Sequence, residues 1–282
     1  MNSLHDLDSS IDRWFREDIG EGDHTTFSTI AEDTSGSAKL LVKEAGILAG
    51  LAVAKRIFQR FDPEIQLHSL MEDGSAIRPG DLVFRVQGKV HTLLQCERLV
   101  LNVMQRMSGI ATNTNAYVKL LQGTGTKILD TRKTSPGLRF LEKEAVRLGG
   151  GVNHRFGLYD MIMIKDNHID ASGGIEKAVE KAVAKNKKGL MIVIEVRNLE
   201  EVKEAVICPV DRIMLDNMPL DEMRKAVDIV GGRVALEASG NMTLEKIREA
   251  AETGVDFISV GALTNRFKAL DIGLDIVQKE QG

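Results

Sequence analysis

The amino-acid sequence predicts an α/β fold in two parts, because the pattern of apolar residues changes once along the chain. Between Ser37 and Thr92 short apolar runs alternate with turn dipeptides, which indicates strands joined by tight turns. After Gly123 a strand, a loop and a helix follow one another repeatedly, which indicates parallel strands joined by right-handed crossovers. At 282 residues the chain is long enough for one large domain or two modest ones.

The first part combines short strands with two helices. A helix is expected from Ala52 to Phe61, and a longer one from His91 to Leu121. The longer helix has an apolar stripe made of Leu94, Val100, Leu101, Met104 and Met107. Strands are predicted at 38–42, 46–50 and 82–86, with turns at Asp62-Pro63, Asp73-Gly74 and Pro79-Gly80.

The second part is predicted to contain six strands, at 127–130, 161–164, 190–194, 212–215, 233–236 and 257–260. Helices lie between them, and Asn198, Pro219 and Thr243 suit the first turns of three of these helices. Polar residues follow the strands directly, which favours an α/β barrel, and an open doubly wound sheet fits the periodicity nearly as well.

The composition excludes several functional classes. The formal net charge is −4, so there is no overall positive field to recruit nucleic acid. No apolar run approaches the roughly 18 residues that a membrane span needs. Cys96 and Cys208 form neither a disulfide framework nor a zinc signature, and we expect both to be buried, inert thiols. We therefore expect a cytoplasmic protein that binds neither nucleic acid nor membranes.

The side chains just after the predicted strands are unusually charged. The carboxyl ends of parallel strands meet at one edge of a sheet, so these groups are expected to face a common mouth. Four cations in a protein of net charge −4 suggest a ligand with several negative charges, and neighbouring carboxylates suggest Mg²⁺. The residues concerned are Arg132, Lys133, Arg155, Lys165, Glu195 and Asp216.

Two turns near the end of the second part are rich in small residues. Ser239-Gly240-Asn241 and Gly261-Ala262 follow the last two predicted strands. Small residues let backbone N–H groups approach an anion closely. We therefore expect a phosphate group here, as at the late strand ends of many barrels.

Three segments in the middle of the chain closely resemble the signature of the quinolinate phosphoribosyltransferases: Thr131–Arg139, Gly149–Arg155 and Ile164–Ile169. The likeness continues at Glu17–Asp23, Glu97–Asn102 and Glu237–Gly240, so that it covers nearly the whole chain. Two positions depart from the family pattern. Val193 stands where the family commonly has the first acid of a Glu-Val-Glu sequence, which leaves Glu195 alone, and Ser135 replaces a common threonine.

The resemblance implies an N-terminal α+β open sandwich domain beside an incomplete parallel α/β barrel. The sandwich would comprise residues 1–112, rejoined by the C-terminal segment 266–282, and the barrel residues 113–265. The resemblance also implies a homo-oligomer, either a dimer or a hexamer built from dimers. In that assembly the partner's N-terminal domain would cap the barrel mouth.

The resemblance also implies a reaction. Phosphoribose would pass from phosphoribosyl pyrophosphate to quinolinate with decarboxylation. The products would be nicotinate mononucleotide, CO₂ and pyrophosphate, as a step of NAD biosynthesis with Mg²⁺ as cofactor.

The family motifs assign expected roles to residues of this chain, beginning with the quinolinate pocket. Arg98 would reach across the dimer interface to the quinolinate carboxylates. Arg132, His154 and Arg155 would complete the pocket, with Thr131 beside it. We expect His154 to act there as a hydrogen-bond donor rather than as a general acid.

The remaining roles concern the donor and the chemistry. Lys133 and Lys165 would contact the charges of both substrates, and Glu195 and Asp216 would hold the ribose hydroxyls and Mg²⁺. These four are the expected catalytic residues. The 5-phosphate would be cradled by Ser239, Gly240, Asn241, Val260, Gly261 and Ala262.

Three other functions stay open on the sequence. The first keeps the fold and changes the substrate: relatives linked to molybdenum transport share much of the signature, and a related transferase uses nicotinate without decarboxylation. Lys165 could form a Schiff base in a lyase, although Asp166 next to it would keep it charged. A non-catalytic module that binds phosphosugars is the third alternative.

Overall fold

A computed structural model of the protein describes residues 4–278, which form two compact units. Within that range the first unit runs to Asn113 and includes Phe140–Gly149 and the segment from Lys268. The second unit consists of Thr114–Arg139 and Gly150–Phe267. Residues 279–282, at the end of the predicted C-terminal segment 266–282, lie outside the described residues, as do residues 1–3.

The first unit combines helices with a small sheet. Four strands form an antiparallel sheet in the order β12-β1-β5-β3, and β2 pairs with β4: β1 (Ser35–Val42), β2 (Gly46–Ile47), β3 (Gln66–Ser69), β4 (Ala76–Ile77), β5 (Leu82–Lys89) and β12 (Ile272–Gln278). The helices are α1 (Leu4–Ile19), α2 (His24–Thr29), α3 (Leu51–Phe61), and most of α4 (Val90–Leu120) and α5 (Arg139–Leu148).

The sheet and α3 share a core because each presents an apolar side. Along β1, buried Ala38, Leu40 and Val42 alternate with more exposed residues, as expected of a strand with one buried face. The rings of Phe58 on α3 and Phe84 on β5 pack edge to face, with their centroids 6.2 Å apart. This arrangement confirms the mixed sheet-and-helix architecture predicted for the first part.

Both helices predicted in the first part are present. The shorter one, α3, begins at Leu51, one residue before the predicted start. The longer one, α4, buries Val100, Leu101, Met104 and Met107 of the predicted stripe, while Leu94 is only partly buried.

Helix α5 belongs to the first unit, whereas the predicted boundaries place it with the barrel in residues 113–265. Its Glu142 is fully buried and accepts a hydrogen bond at Oε1 from Arg106 Nη2 on α4, at 2.5 Å. A buried carboxylate needs a charged partner, and this one is found on α4. The ion pair therefore joins α5 to the first unit.

The second unit is built on six parallel strands: β6 (Lys127–Leu129), β7 (Ile162–Ile164), β8 (Ile192–Val196), β9 (Arg212–Asp216), β10 (Ala235–Ser239) and β11 (Phe257–Ser259). Their order in the sheet is β6-β11-β10-β9-β8-β7. Helices lie between successive strands and after the last one: α6 (Asp166–Ser172), α7 (Ile175–Lys185), α8 (Leu199–Ala205), α9 (Leu220–Val230), α10 (Leu244–Ala251) and α11 (Ala262–Asn265).

The six-stranded sheet curves into an incomplete barrel. Thr131 follows β6 and Lys165 follows β7, and these two residues at opposite edges of the sheet line the same cavity. In a flat sheet the two edges would be about 24 Å apart, because neighbouring strands lie about 4.8 Å apart. Among the described strands β6 and β7 form no ladder with each other, so the barrel stays open there. The predicted incomplete barrel is confirmed, and the flat open sheet is not.

Two predicted strands are displaced towards the C-terminus. The observed β8 begins two residues late, because Leu190 is held in a loop by two hydrogen bonds with the Asn186 side chain, at 2.7 and 2.9 Å. The observed β10 also begins two residues late, since Arg233 donates from Nε to the Val230 carbonyl at the end of α9. Consequently Glu195 and Glu237 lie within strands rather than after them.

The predicted helix starts in the second unit are confirmed. The side chain of Asn198 accepts the backbone N–H of Glu201 at 3.0 Å and so caps α8. Pro219 and Thr243 immediately precede α9 and α10.

Two further expectations concern membranes and thiols. Within residues 4–278 no helix is both long and apolar enough to cross a membrane. Cys96 is buried as predicted, and burial raises the pKa of its thiol. The prediction is wrong for Cys208, which is only half-buried because it lies in the loop after α8.

The buried Arg106–Glu142 pair predicts a stability difference. We expect Glu142→Gln to lower the free energy of unfolding by about 2–3 kcal/mol, because it removes the charge that Arg106 faces. The matched control is Glu144→Gln on the same helix, whose partner Arg147 is exposed, and we expect a loss below about 1 kcal/mol. Urea unfolding followed by circular dichroism measures both variants. Equal losses would show that the buried pair does not hold α5.

Candidate active site

A cavity of about 560 Å³ lies at the carboxyl ends of the six parallel strands. Residues of β8, β9, β10, β11 and β7 line it together with the loop after β6, so the strand ends converge on a single space. Its lining comprises Thr131, Arg132, Lys133, His154, Arg155, Met163, Lys165, Glu195, Met214, Asp216, Asn217, Glu237, Ser239, Gly240, Asn241, Met242, Ser259 and Gly261.

Strand geometry explains which residues reach the cavity. Successive side chains of a strand point to opposite faces, so that residues two positions apart share a face. One member of each such pair lies at the strand end and the other lies deeper in the barrel. Four strands contribute pairs of this kind: Met163 and Lys165, Met214 and Asp216, Glu237 and Ser239, and Ser259 and Gly261.

Arg132 and Arg155 are close enough for their charges to affect each other. Burial and then the positive charge of Arg132 lower the pKa of Arg155 below the ordinary arginine value. The carboxylates of Asp160 and Glu195 act in the opposite direction. Two guanidinium groups that repel each other favour an anionic ligand that both can bind.

A third arginine, Arg139, holds the two loops that carry these guanidinium groups. Its Nε donates to Thr134 Oγ1 at 2.8 Å, and its Nη1 donates to the Phe156 carbonyl at 3.0 Å. Its Nη2 lies 3.5 Å from the Arg132 carbonyl. One side chain therefore ties the loop after β6 to the loop before β7.

Lys165 is paired with Glu195 on the neighbouring strand. The Nζ of Lys165 donates to Glu195 Oε2 at 2.5 Å, with the lysine side chain partly exposed and the glutamate largely buried. The carboxylate that Lys165 contacts is thus that of Glu195, and Asp166 makes a different contact. Asp166 is the first residue of α6, and its Oδ1 accepts the backbone N–H of Asn167 at 2.7 Å.

The carboxylates of the cavity fit a metal ion only in part. Within residues 4–278 no group of three or more His, Cys, Asp or Glu side chains is placed to hold a metal. Glu195 and Asp216 line the cavity, while Val193, two residues before Glu195, is buried and apolar. Because Mg²⁺ commonly binds one or two carboxylates together with substrate phosphates and water, these residues fit an ion that a phosphorylated ligand carries.

The turns after β9 and β10 have an unusual backbone. Asn217 and Asn241 have φ values of 52° and 45°, in the left-handed region that asparagine tolerates better than most residues. Gly240 has a φ of 96°, and a Cβ at this position would overlap Asn217 Oδ1. The turns can approach each other because residue 240 has no side chain.

The turn after β11 also depends on a glycine. A Cβ at Gly261 would lie 2.9 Å from Lys133 Cδ, which is too close for ordinary contact. The Lys133 carbonyl accepts a hydrogen bond from Thr264 Oγ1 at 2.9 Å. Lys133 is therefore held against the end of β11 by contacts on its side chain and its backbone.

His154 is buried beside the cavity and is bonded through its backbone and its ring. Its backbone N–H donates to Asp130 Oδ1 at 2.8 Å. Its Nδ1 accepts the backbone N–H of Arg155 at 2.7 Å, and its Nε2 lies 3.4 Å from Glu237 Oε2. Both ring nitrogens therefore face protein groups.

The structure brings most of the residues predicted from the sequence into this cavity, with three exceptions. Arg98 is exposed on α4 in the first unit, whereas the residues that line the cavity belong to the second. Val260 is buried and donates its N–H to the Leu129 carbonyl at 2.9 Å. Ala262 is the first residue of α11 and is absent from the lining.

Several lining residues were not predicted: Met163, Met214, Asn217, Glu237, Met242 and Ser259. Four of them lie two positions before another lining residue on the same strand. The period of two along a strand was therefore the signal that could have found them.

Known proteins resemble this chain over almost its whole length. The family models "Quinolinate phosphoribosyl transferase, N-terminal domain" and "Quinolinate phosphoribosyl transferase, C-terminal domain" match residues 23–108 and 110–275. The chain is 45% identical to quinolinate phosphoribosyltransferase (decarboxylating) 1b of Nicotiana tabacum, over 96% of this chain and 83% of that protein.

Solved structures agree with the sequence comparison. NadC from Streptococcus pyogenes is 40% identical and superposes with a TM-score of 0.95, over 99% of both chains. The nicotinate-nucleotide pyrophosphorylase from Francisella tularensis is 42% identical, with a TM-score of 0.93 over 98% of both chains.

Fold, cavity and comparisons together define an enzyme of the phosphoribosyltransferase class. The chain belongs to the quinolinate phosphoribosyltransferase family.

The close approach of Gly240 to Asn217 predicts a specific cost for an added methyl group. We expect Gly240→Ala to destabilise the protein by about 2–4 kcal/mol, from left-handed strain and overpacking together. The control is Gly232→Ala, where φ is 75° and a Cβ would have nothing within 4 Å, so strain alone should cost about 1–2 kcal/mol. Thermal unfolding of the two variants measures the difference, and equal losses would contradict the packing argument.

Proposed function

We propose that this protein transfers phosphoribose from phosphoribosyl pyrophosphate to quinolinate with loss of CO₂, forming nicotinate mononucleotide and pyrophosphate in NAD biosynthesis. The observation that carries the proposal is the presence of Arg132 and Arg155 in the lining of one cavity of a chain of this family. Quinolinate has two adjacent carboxylates, and the donor has a pyrophosphate and a 5-phosphate. Such anions can meet only where cations neutralise them, and electrostatic terms grow in a partly dry site.

The arginine pair supports quinolinate as the acceptor. Two guanidinium groups, Arg132 and Arg155, suit two neighbouring carboxylates, whereas nicotinate has one. Thr131 and His154 belong to the same part of the lining. Arg98 is exposed on α4, and we propose that it enters the site of a neighbouring subunit in a homodimer or a hexamer built from dimers.

The donor would bind at the opposite group of strand ends. Ser239, Gly240, Asn241 and Gly261 line the cavity there and would cradle the 5-phosphate. Glu195 and Asp216 would hold the ribose hydroxyls and the Mg²⁺ that the donor carries. When bound, Mg²⁺ would neutralise charge on the departing pyrophosphate.

The residues of the cavity suit a reaction that passes through positive charge on the ribose. As the bond to pyrophosphate breaks, C1 of the ribose becomes oxocarbenium-like, and the carboxylates of Glu195 and Asp216 stabilise it. The quinolinate nitrogen then bonds to C1, while Lys133 and Lys165 offset the negative charges of both substrates. The positive ring nitrogen then stabilises the carbanion that forms at C2 when the carboxylate departs as CO₂, and a proton from water completes the C2–H bond of the product. Positioning and electrostatics supply the catalysis, and no nucleophilic side chain is required.

The pairing of Lys165 disfavours a Schiff-base lyase. Formation of a Schiff base requires the neutral amine, which is obtained by desolvation or by a second cation. Lys165 is partly exposed and donates to the carboxylate of Glu195 at 2.5 Å, so its amine is neither desolvated nor free of an anionic partner.

The proposed reaction is tested by incubating the protein with quinolinate, phosphoribosyl pyrophosphate and Mg²⁺. We expect CO₂ and pyrophosphate to be released in equal amounts, because each turnover forms one of each. Turnover of nicotinate in place of quinolinate would contradict the choice of acceptor. Binding of the donor with no turnover would instead favour a phosphosugar-binding module.

The shared site predicts complementation between inactive variants. Arg98→Ala and Arg132→Ala should each be inactive alone, because one lacks the crossing arginine and the other lacks an arginine of the cavity. After subunit exchange, activity should return to about a quarter of the wild-type value, since half of the dimers are hybrids with one intact site. The control is a mixture of Arg132→Ala with Arg155→Ala, in which no intact site can form. Absence of recovery in the first mixture would contradict an exchange of Arg98 between subunits.

A further inference from the structure

A series of charged contacts lies beneath the cavity in the second unit. Arg212, at the start of β9, packs on the ring of Phe257 with its Cζ 4.0 Å from the ring centroid. Its Nη1 donates to Glu237 Oε2 at 2.8 Å, and His154 Nε2 lies 3.4 Å from the same oxygen. Arg212, Glu237 and His154 are all buried, so water screens these contacts poorly.

Glu237 is an ionised acceptor in this array. Burial raises the pKa of its carboxyl group, but the contact with His154 and the charge of Arg212 lower it by more, so the pKa lies below the ordinary glutamate value. A carboxylate accepts hydrogen bonds and donates none. Because His154 Nε2 lies 3.4 Å from Glu237 Oε2, the carboxylate favours a hydrogen on that ring nitrogen.

The other ring nitrogen of His154 has the opposite role. Nδ1 accepts the backbone N–H of Arg155 at 2.7 Å, so Nδ1 itself carries no proton. Both contacts require the same neutral tautomer, with hydrogen on Nε2 and a free lone pair on Nδ1. The contact with Glu237 thus favours the tautomer whose Nδ1 can accept the backbone N–H of Arg155.

We propose that Glu237, held in place by Arg212, is a positioning residue that orients His154 and through it holds Arg155 against the anionic ligand of the cavity. That the ligand is quinolinate rests on the proposed function. His154 then acts through Arg155 rather than by donating to the ligand, which differs from the role that the family resemblance implied.

Stability alone does not account for these buried charges. Replacing a buried ion pair with apolar residues of similar volume is often neutral or stabilising. Val193, which pairs with Arg212 in the sheet register, is apolar and fully buried, so apolar residues fit this part of the interior. Apolar residues in place of Arg212 and Glu237 could not make a polar contact with Nε2 of His154.

The double variant Arg212→Met, Glu237→Leu tests the proposal, because it removes both charges while keeping the interior filled. We expect the KM for quinolinate to rise about 10- to 100-fold, since small displacements of a binding group are costly. The KM for phosphoribosyl pyrophosphate should stay within about twofold, because neither His154 nor Arg155 is among the residues proposed to contact the donor. If the double variant does not fold, Glu237→Gln takes its place. This variant should also raise the KM for quinolinate and leave the KM for phosphoribosyl pyrophosphate nearly unchanged.

A second readout does not depend on turnover. In protein with ¹⁵N-labelled histidine, the His154 signal, assigned by its loss in His154→Asn, should show one neutral tautomer with hydrogen on Nε2. In the double variant the ring should lose this single state. Should wild-type protein fail to turn over quinolinate, the proposed function fails, and the spectrum still tests the array.

The matched control is Glu142→Gln, which alters another buried glutamate paired with an arginine, but in the first unit and outside the cavity lining. It should lose stability and keep both KM values. A folded double variant with the wild-type KM for quinolinate would overturn the proposal. So would a proton on Nδ1 of His154 in the wild-type protein.

Discussion

The site depends on a constraint that opposes ordinary charge preferences, since Arg132 and Arg155 are kept close enough to repel each other. In water two such side chains would separate, but here both loops are anchored. Arg139 donates hydrogen bonds to both loops, and the His154 ring accepts the backbone N–H of Arg155. The fold therefore keeps two positive charges near each other, and a bound dianion would neutralise both of them. Such preorganisation favours ligands with two negative charges over ligands with one.

The curvature of the parallel sheet makes this constraint possible. It brings the ends of β6 and β7, the two edges of the sheet, to one cavity, so that residues far apart in the sequence become neighbours. The period of two along each strand then adds a deeper layer beneath the strand ends. In that layer Glu237 occupies the position below Ser239 and contacts His154 from inside the barrel. Ligand-binding groups at the mouth are thus supported by charged groups in the interior.

Strong local patterns explain what could be predicted from the sequence. The apolar stripe of α4 repeats with the helical period, and the parallel strands are short apolar runs, so these elements were predicted, although β8 and β10 begin two residues late. The edge strand β3 (Gln66–Ser69) is mostly exposed, so it shows no apolar alternation and was not predicted. Helix α5 was also missed, because buried Glu142 and Lys143 interrupt its apolar face. Polar residues in a core signal tertiary partners, which a single sequence does not display.

The candidate site shows the same limit. Residues at or just after strand ends, such as Asp216 and Arg132, could be placed at the mouth by the topology alone. The partnership of Arg212 with Glu237 depends on how β9 and β10 align, and in that register Arg212 pairs with Ala235. The tautomer of His154 depends on that partnership in turn. Such interior contacts follow from sheet register, which no local pattern encodes.

The central claim is that two opposed guanidinium groups select a dianion, and calorimetric titration of quinolinate and nicotinate tests it most directly. Wild-type protein and Arg224→Ala, a control on exposed α9 surface, should bind quinolinate equally well and more tightly than nicotinate. Arg132→Ala should bind quinolinate about 10- to 100-fold more weakly, the loss of one charge-assisted contact worth about 1.5–3 kcal/mol. An Arg132→Ala protein with the wild-type Kd for quinolinate, or a wild-type protein that binds both ligands equally, would contradict the claim.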